Sequence, residues 1–277
     1  MVSTSKSASA GGRKRSTPWW RERAPEIGEV TSFAFGPSRT LILREANEWQ
    51  LLAQPAVPEE PAREVKAQVR RLKSMPHDQK GLQRFIFEKT EPKLTVTPSL
   101  ADRPVVARPV SALSIPPGVA VRLYISSPLW LRVDVHDSDT HLGEVPIFRP
   151  SDIWFGPNTL EGCLCYSSLT HAHLDPANLP HRHHRAITPV VIQNEDADTF
   201  RFERMSLPAP YLSIFASDTG ELWTDTVTLV RRKGGETTSL ELAGTIPDEA
   251  DGGTQLHGPR ETRSEKSLIH AIGEWLG

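Results

Sequence analysis

The densest group of chemically capable side chains lies in LTHAHLDPANLPHRHHR, residues 169–185. His171 and His173 stand two apart, Asp175 follows two further on, and His181, His183 and His184 come soon after. Alternate residues of an extended strand share a face, so two imidazoles at this spacing can share one metal ion. His171, His173, Asp175, His181 and His183 therefore read as a candidate site for a divalent metal. A metal-activated water there would make the protein a metal-dependent enzyme. The same residues read more economically as a polar surface loop rich in His and Arg, whose imidazoles titrate near neutrality.

The string from Thr170 to Asp175 resembles the metal-binding motif of the metallo-β-lactamase fold, where His and Asp ligands build a dinuclear site. The sequence departs from that pattern at Pro176, where a further His ligand is expected. The later Gly-His-Thr-Pro-Gly phrase and the βα alternation of that fold are also missing.

A second cluster, VDVHDSDTHLGE, gathers Asp134, His136, Asp137, Asp139, His141 and Glu144. Oxygen ligands at this density suit a hard cation, but the position-six glycine and closing Glu of an EF-hand loop are missing. Asp and Ser also crowd hairpin tips for turn chemistry alone, and that reading is preferred. Cys163 and Cys165 are the only cysteines. Alternation puts both sulfurs on one face of a strand, where buried, unreactive thiols are the ordinary outcome and a disulfide between them is geometrically poor. Trp130, Trp154, Phe155 and Trp223 would suit a sugar-stacking platform, although tryptophan in a β core is commoner. The segment from Ser151 to Pro157 combines polar, aromatic and turn residues and suggests a positional role. There is no GxSxG elbow, P-loop, dinucleotide glycine fingerprint, HExxH or CxxC.

The elements that must position these groups are mostly strands. A chain of 277 residues hides about three quarters of its unfolded surface on folding, enough for a core without staples. Its 24 prolines, scattered between short apolar runs, favour strands and turns over long helices. GEVTSFAFGPSRTLILREANEWQLLAQ alternates at Phe33 and Phe35 and at Leu41 and Leu43, with turns at Gly36-Pro37-Ser38 and Ala46-Asn47. From residue 82 onward, strand-sized runs recur every 8–14 residues. The expected fold is mainly β: an antiparallel β-sandwich-like body with one internal helix, a C-terminal helix and a disordered N-terminal tail. The internal helix is expected over residues 58–74, where Val65, Val69 and Leu72 fall at helical spacing between an acidic start and a basic end. The division expected is a flexible basic tail over 1–24, an N-terminal β/helix module over 25–97, and a sandwich over 98–245. A linker over 246–263 and a helix over 264–277 follow. That last helix carries an apolar stripe of Leu268, Ala271, Ile272, Trp275 and Leu276 and should pack on the body.

Charge narrows the partners. Six basic side chains against Glu22 give residues 1–24 a charge of +5, leaving −7 for the rest of a chain whose net charge is −2. A mildly acidic body has no long-range attraction to phosphate backbones, so nucleic acid is not the default partner. Two thiols in this length point to a reducing compartment. The N-terminus lacks the apolar core of a secretory signal, and no run reaches the roughly 18 apolar residues of a membrane helix. A cytoplasmic protein is expected.

One ordered set of phrases resembles a known family. It comprises PWW (18–20), EWQLLAQ (48–54), ADRPVVARPVSALSIPPG (101–118), SPLWLRV (127–133), RPSDIWFGPNTLEGCLCYSS (149–168), LPHRHHRAITPVVIQN (179–194), FERMSLPAPYLSIFA (202–216) and GELWTDTVTL (220–229). Their order is similar to the bacterial branch of the domain-of-unknown-function 432 family, from about Trp19 to about Leu229 and again at the terminal segment. The family brings no catalytic residues to carry across. It implies an association with small mechanosensitive channels, and so a membrane-channel partner. The leading expectation is a non-enzymatic binding or scaffolding module with an unidentified protein partner and no cofactor. The alternatives are a metal-dependent enzyme built on His171 and His173, and an accessory partner of a mechanosensitive channel.

Overall fold

A computed structural model describes residues 18–56, 65–135, 140–156, 158, 160–170, 172–180, 182–233 and 238–261. Among them the chain is mainly β, with sheets that are mostly antiparallel but include parallel pairings; the only helical elements are three short 3-10 turns.

Residues 30–54 form the meander that the alternation predicts. Val30–Phe35, Ser38–Arg44 and Glu48–Gln54 pair antiparallel in order. Gly36 holds the first turn at φ 59°, a conformation that glycine adopts without steric cost. Gln83–Ile86 extends this sheet on one side. Its other edge is Ala67–Leu72, which pairs antiparallel with Val30–Phe35. The helix expected over residues 58–74 is therefore corrected: the described part of that segment is a strand, and residues 57–64 lie outside the described residues. The physical reason is a second period in the same residues. Val65, Ala67 and Val69 also alternate, and all three pack on the core, while Gln68 and Arg70 point outward. Pairing satisfies a sheet edge that a helix there would leave open.

A second sheet runs Glu22–Arg23, Leu94–Ser99, Trp130–Val135, Thr140–Pro146. A four-stranded sheet orders Asp152–Phe155, Cys163–Thr170, Val105–Pro109 and Met205–Leu207, and its central pair is parallel. The largest sheet centres on Arg185–Asn194, which pairs antiparallel with Ala120–Pro128 and parallel with Val227–Arg231. One apolar cluster links residues from Trp19 to Leu240 across these sheets. Trp19 is 1% exposed, so the packed body starts within the segment expected to be a tail. Residues 246–257, expected as linker, carry a 3-10 turn with buried Ala250 and the strand Thr254–His257, which pairs with Ile214–Ala216. The expected C-terminal helix, residues 264–277, lies outside the described residues. No helix among the described residues is long and apolar enough to cross a membrane.

The loop that follows Asp152–Phe155 is tightly packed. Gly156 and Gly162 sit back to back, and a Cβ on Gly156 would lie 2.2 Å from the carbonyl oxygen of Glu161. Both neighbours are backbone, so relief requires the loop to move. Gly156→Ala should cost about 1–3 kcal/mol. Denaturant unfolding checks this, and a change within error would show that the loop re-forms freely.

Candidate anion-binding pocket

The histidine-rich segment connects Cys163–Thr170 to Arg185–Asn194, and its backbone is fixed at several points. Ala172 has φ 47°, the only non-glycine residue with positive φ among those described. Left-handed backbone at a residue with a Cβ is held against its preference by its surroundings. Here it turns the chain so that His173 exchanges two backbone hydrogen bonds with Tyr124, of 2.8 and 3.1 Å. Asp175 then caps the Pro176–Asn178 turn by accepting from the Ala177 amide at 2.9 Å. Further on, the His183 amide donates to the Val65 carbonyl at 3.2 Å, and the Trp19 indole donates to the His183 carbonyl at 2.9 Å.

Of the five expected metal ligands, His171 and His181 lie outside the described residues. His173 and His183 line one cavity. Asp175 is exposed and spent on its cap. Among the described residues no three His, Cys, Asp or Glu side chains gather at metal-binding distance.

What the fold does build around His173 and His183 is cationic. The cavity, about 30 Å³, is lined by Arg182 and Arg185 beside these histidines, by the hydroxyls of Ser126 and Thr170, and by Glu221. Apolar walls come from Trp20, Leu179, Ile187 and Leu222. Arg185 is half-buried, its remaining surface turned to the cavity. Its Nε donates to the Ser126 hydroxyl, and its Nη2 donates to the Ser126 carbonyl and the Ser168 hydroxyl. These acceptors are neutral, and the carboxylate among the residues lining the cavity is that of Glu221. A guanidinium has five N–H donors, so the pair on Nη1 is without an acceptor among the described residues. Burial pushes the Arg185 pKa down to about 9, helped by the positive charge of Arg182. Burial also lowers the pKa of Arg182, whose Nε is buried without a hydrogen-bond partner among the described residues. Both remain cations at neutral pH, because arginine starts so high.

His184 sits beside this cavity with its ring 4.7 Å from the Phe148 ring. Burial, then Arg185, Arg182 and His183, hold its pKa well below the usual histidine range. It is therefore neutral at pH 7 in the folded state, whereas the unfolded chain protonates it near pH 6.5. The unfolded state binds more protons below that pH, so stability is complete above it and falls as pH drops. One such proton gives a slope of at most about 1.4 kcal/mol per pH unit. His257 is depressed in the same direction, mainly by burial. Chemical denaturation between pH 7 and 5 should show this loss, and His184→Gln should flatten the slope. An unchanged slope would mean that other groups set the acid limit.

The remaining candidates resolve differently. Asp134 is buried and engaged by Arg132 and His141, each at 2.9 Å. Glu144 is engaged by Arg132 and Arg260. These carboxylates are neutralised by side chains, while His136, Asp137 and Asp139 lie outside the described residues. Trp130, Trp223 and Phe155 are core residues, and only Trp154, at 46%, is substantially exposed, so they form no shared platform. The cysteines share one face as alternation requires and are not disulfide-bonded.

Sequence reading singled out the histidines and passed over Arg182, Arg185 and Ser126. The available signal was the bracketing of His183 and His184 by two arginines. Ser126 and Glu221 gave none, because their place in the cavity depends on pairings between distant strands.

Searches of curated proteins and of solved structures each returned no match. A family model described as "Protein of unknown function (DUF432)" matches residues 19–272, nearly the whole packed body together with much of the C-terminal segment, and the chain belongs to that family.

Proposed function

We propose that this protein is a binding module that takes a small anionic oxygen group, a carboxylate or phosphate, into the Arg182–Arg185 pocket. The observation that carries the reading is Arg185: a half-buried cation whose described partners are all neutral and whose Nη1 donors have no described acceptor. Burying a charge without a counter-charge is costly. An anion in the cavity offsets that cost and supplies charge-assisted hydrogen bonds, which are roughly twice as strong as neutral ones. A volume of about 30 Å³ is that of one or two water-sized groups, so the pocket takes the oxygens of an anion and not a whole cofactor.

Recognition fits better than turnover. Arginine is donor-only and does not exchange protons at neutral pH, and its guanidinium is fixed by three oxygens. Two arginines in the same space oppose a divalent cation there, which weighs against the metal-enzyme reading of His173 and His183. Titration of the full chain with inorganic phosphate and with acetate, at constant ionic strength, tests the proposal. Saturable heat and a rising Tm are expected with one or both, with the anion recovered unchanged. Equal responses to chloride, or none at all, would overturn it.

A further inference from the structure

We propose that Cys163 and Cys165 form a dithiol that a hydroperoxide converts reversibly to a disulfide. The two residues flank Leu164, whose side chain is on the opposite, exposed face. Their sulfurs lie 3.3 Å apart, in van der Waals contact, among Val106, Ile153 and Phe155. Cys163 is half-buried and Cys165 is 0% exposed, so one sulfur meets solvent and the other waits behind it. Residues two apart on a strand have Cα atoms roughly 6.6 Å apart, at the wide end of the disulfide range. The bond is feasible but strained, and strained disulfides have oxidising potentials and are readily reduced. Poor disulfide geometry is thus what makes the pair a switch and not a staple.

The chemistry balances in two steps. The Cys163 sulfur attacks the terminal oxygen of the hydroperoxide and the O–O bond breaks. Cys163 becomes a sulfenic acid, and the departing alkoxide takes the thiol proton to leave as an alcohol. The Cys165 sulfur then attacks the Cys163 sulfur: the S–S bond forms, the S–O bond breaks, and hydroxide leaves with the Cys165 proton as water. The two thiols lose two electrons and the peroxide gains them. A consequence at the pocket rests on the proposed anion site. Ser168, three residues beyond Cys165 on the same strand, accepts from Arg185, so bending the strand loosens its anchorage.

The test treats the reduced full chain with one equivalent of tert-butyl hydroperoxide. Both thiols should disappear together and the intact mass should fall by two hydrogen atoms. No bond between two chains should form, and dithiothreitol should restore the thiols. Cys165→Ala should stop at a sulfenic acid trapped by dimedone. Oxidation of Cys163 beyond sulfenic acid while Cys165 stays a thiol, an intermolecular disulfide, or no reaction would each overturn the proposal. Phosphate titration of the oxidised chain is a separate reading. Thiol loss with unchanged phosphate binding sinks only the coupling, and absence of phosphate binding in the reduced chain sinks only the anion site.

Discussion

Arg185→Met is expected to raise the Kd for the anion ten- to a hundredfold while leaving the protein folded. Methionine keeps length and loses charge. One charge-assisted hydrogen bond contributes about 1.5–3 kcal/mol, and about 1.4 kcal/mol is a factor of ten in Kd. The variant leaves Ser126 and Ser168 without their donor, at a cost of about 1–3 kcal/mol, but it also removes a half-buried charge whose described acceptors are neutral. The net change in stability is therefore small compared with the loss of binding. Arg185→Lys should restore part of the affinity, since it keeps the charge without the planar fork. Calorimetric titration with phosphate and acetate decides the matter. Wild-type affinity in the methionine variant would remove Arg185 from the site.

The second large effect is expected at Trp19. Its ring is 1% exposed and packs edge-on against Phe35 at 5.3 Å and Trp20 at 5.4 Å. Trp19→Ala should cost about 3–5 kcal/mol through the cavity it leaves, roughly ten degrees in Tm for a domain of this size. Trp19→Phe separates the two roles of the side chain. It keeps most of the packing and drops the hydrogen bond to the His183 carbonyl, at about 1 kcal/mol. Trp19 also holds the segment that carries Arg182 and His183, and its neighbour Trp20 lines the cavity. Anion affinity should therefore fall in Trp19→Phe by more than the stability loss alone would produce. Thermal melts and phosphate titrations of both variants measure this. Full affinity in Trp19→Phe would show that the segment is positioned without that bond.

Alternation determined much of this protein directly. Phe33 with Phe35, Leu41 with Leu43, and Cys163 with Cys165 point to shared faces because the side-chain period of a strand is two, a local property that needs no partner. The same locality misled at residues 65–72, where Val65, Val69 and Leu72 satisfy a helical period and Val65, Ala67 and Val69 an extended one. The choice between them was made by the open edge of Val30–Phe35, a neighbour some thirty residues away. The pocket was decided wholly at that level. His173 and His183 advertised themselves by type, yet Arg185 reaches the proposed anion site only because the pairing of Arg185–Asn194 with Ala120–Pro128 brings it within hydrogen-bond reach of Ser126 and the fold brings Ser168 within reach as well. Residue type is written locally. Burial among neutral partners is a property of the assembled surroundings, so only the tertiary structure decided that the described acceptors of Arg185 carry no charge.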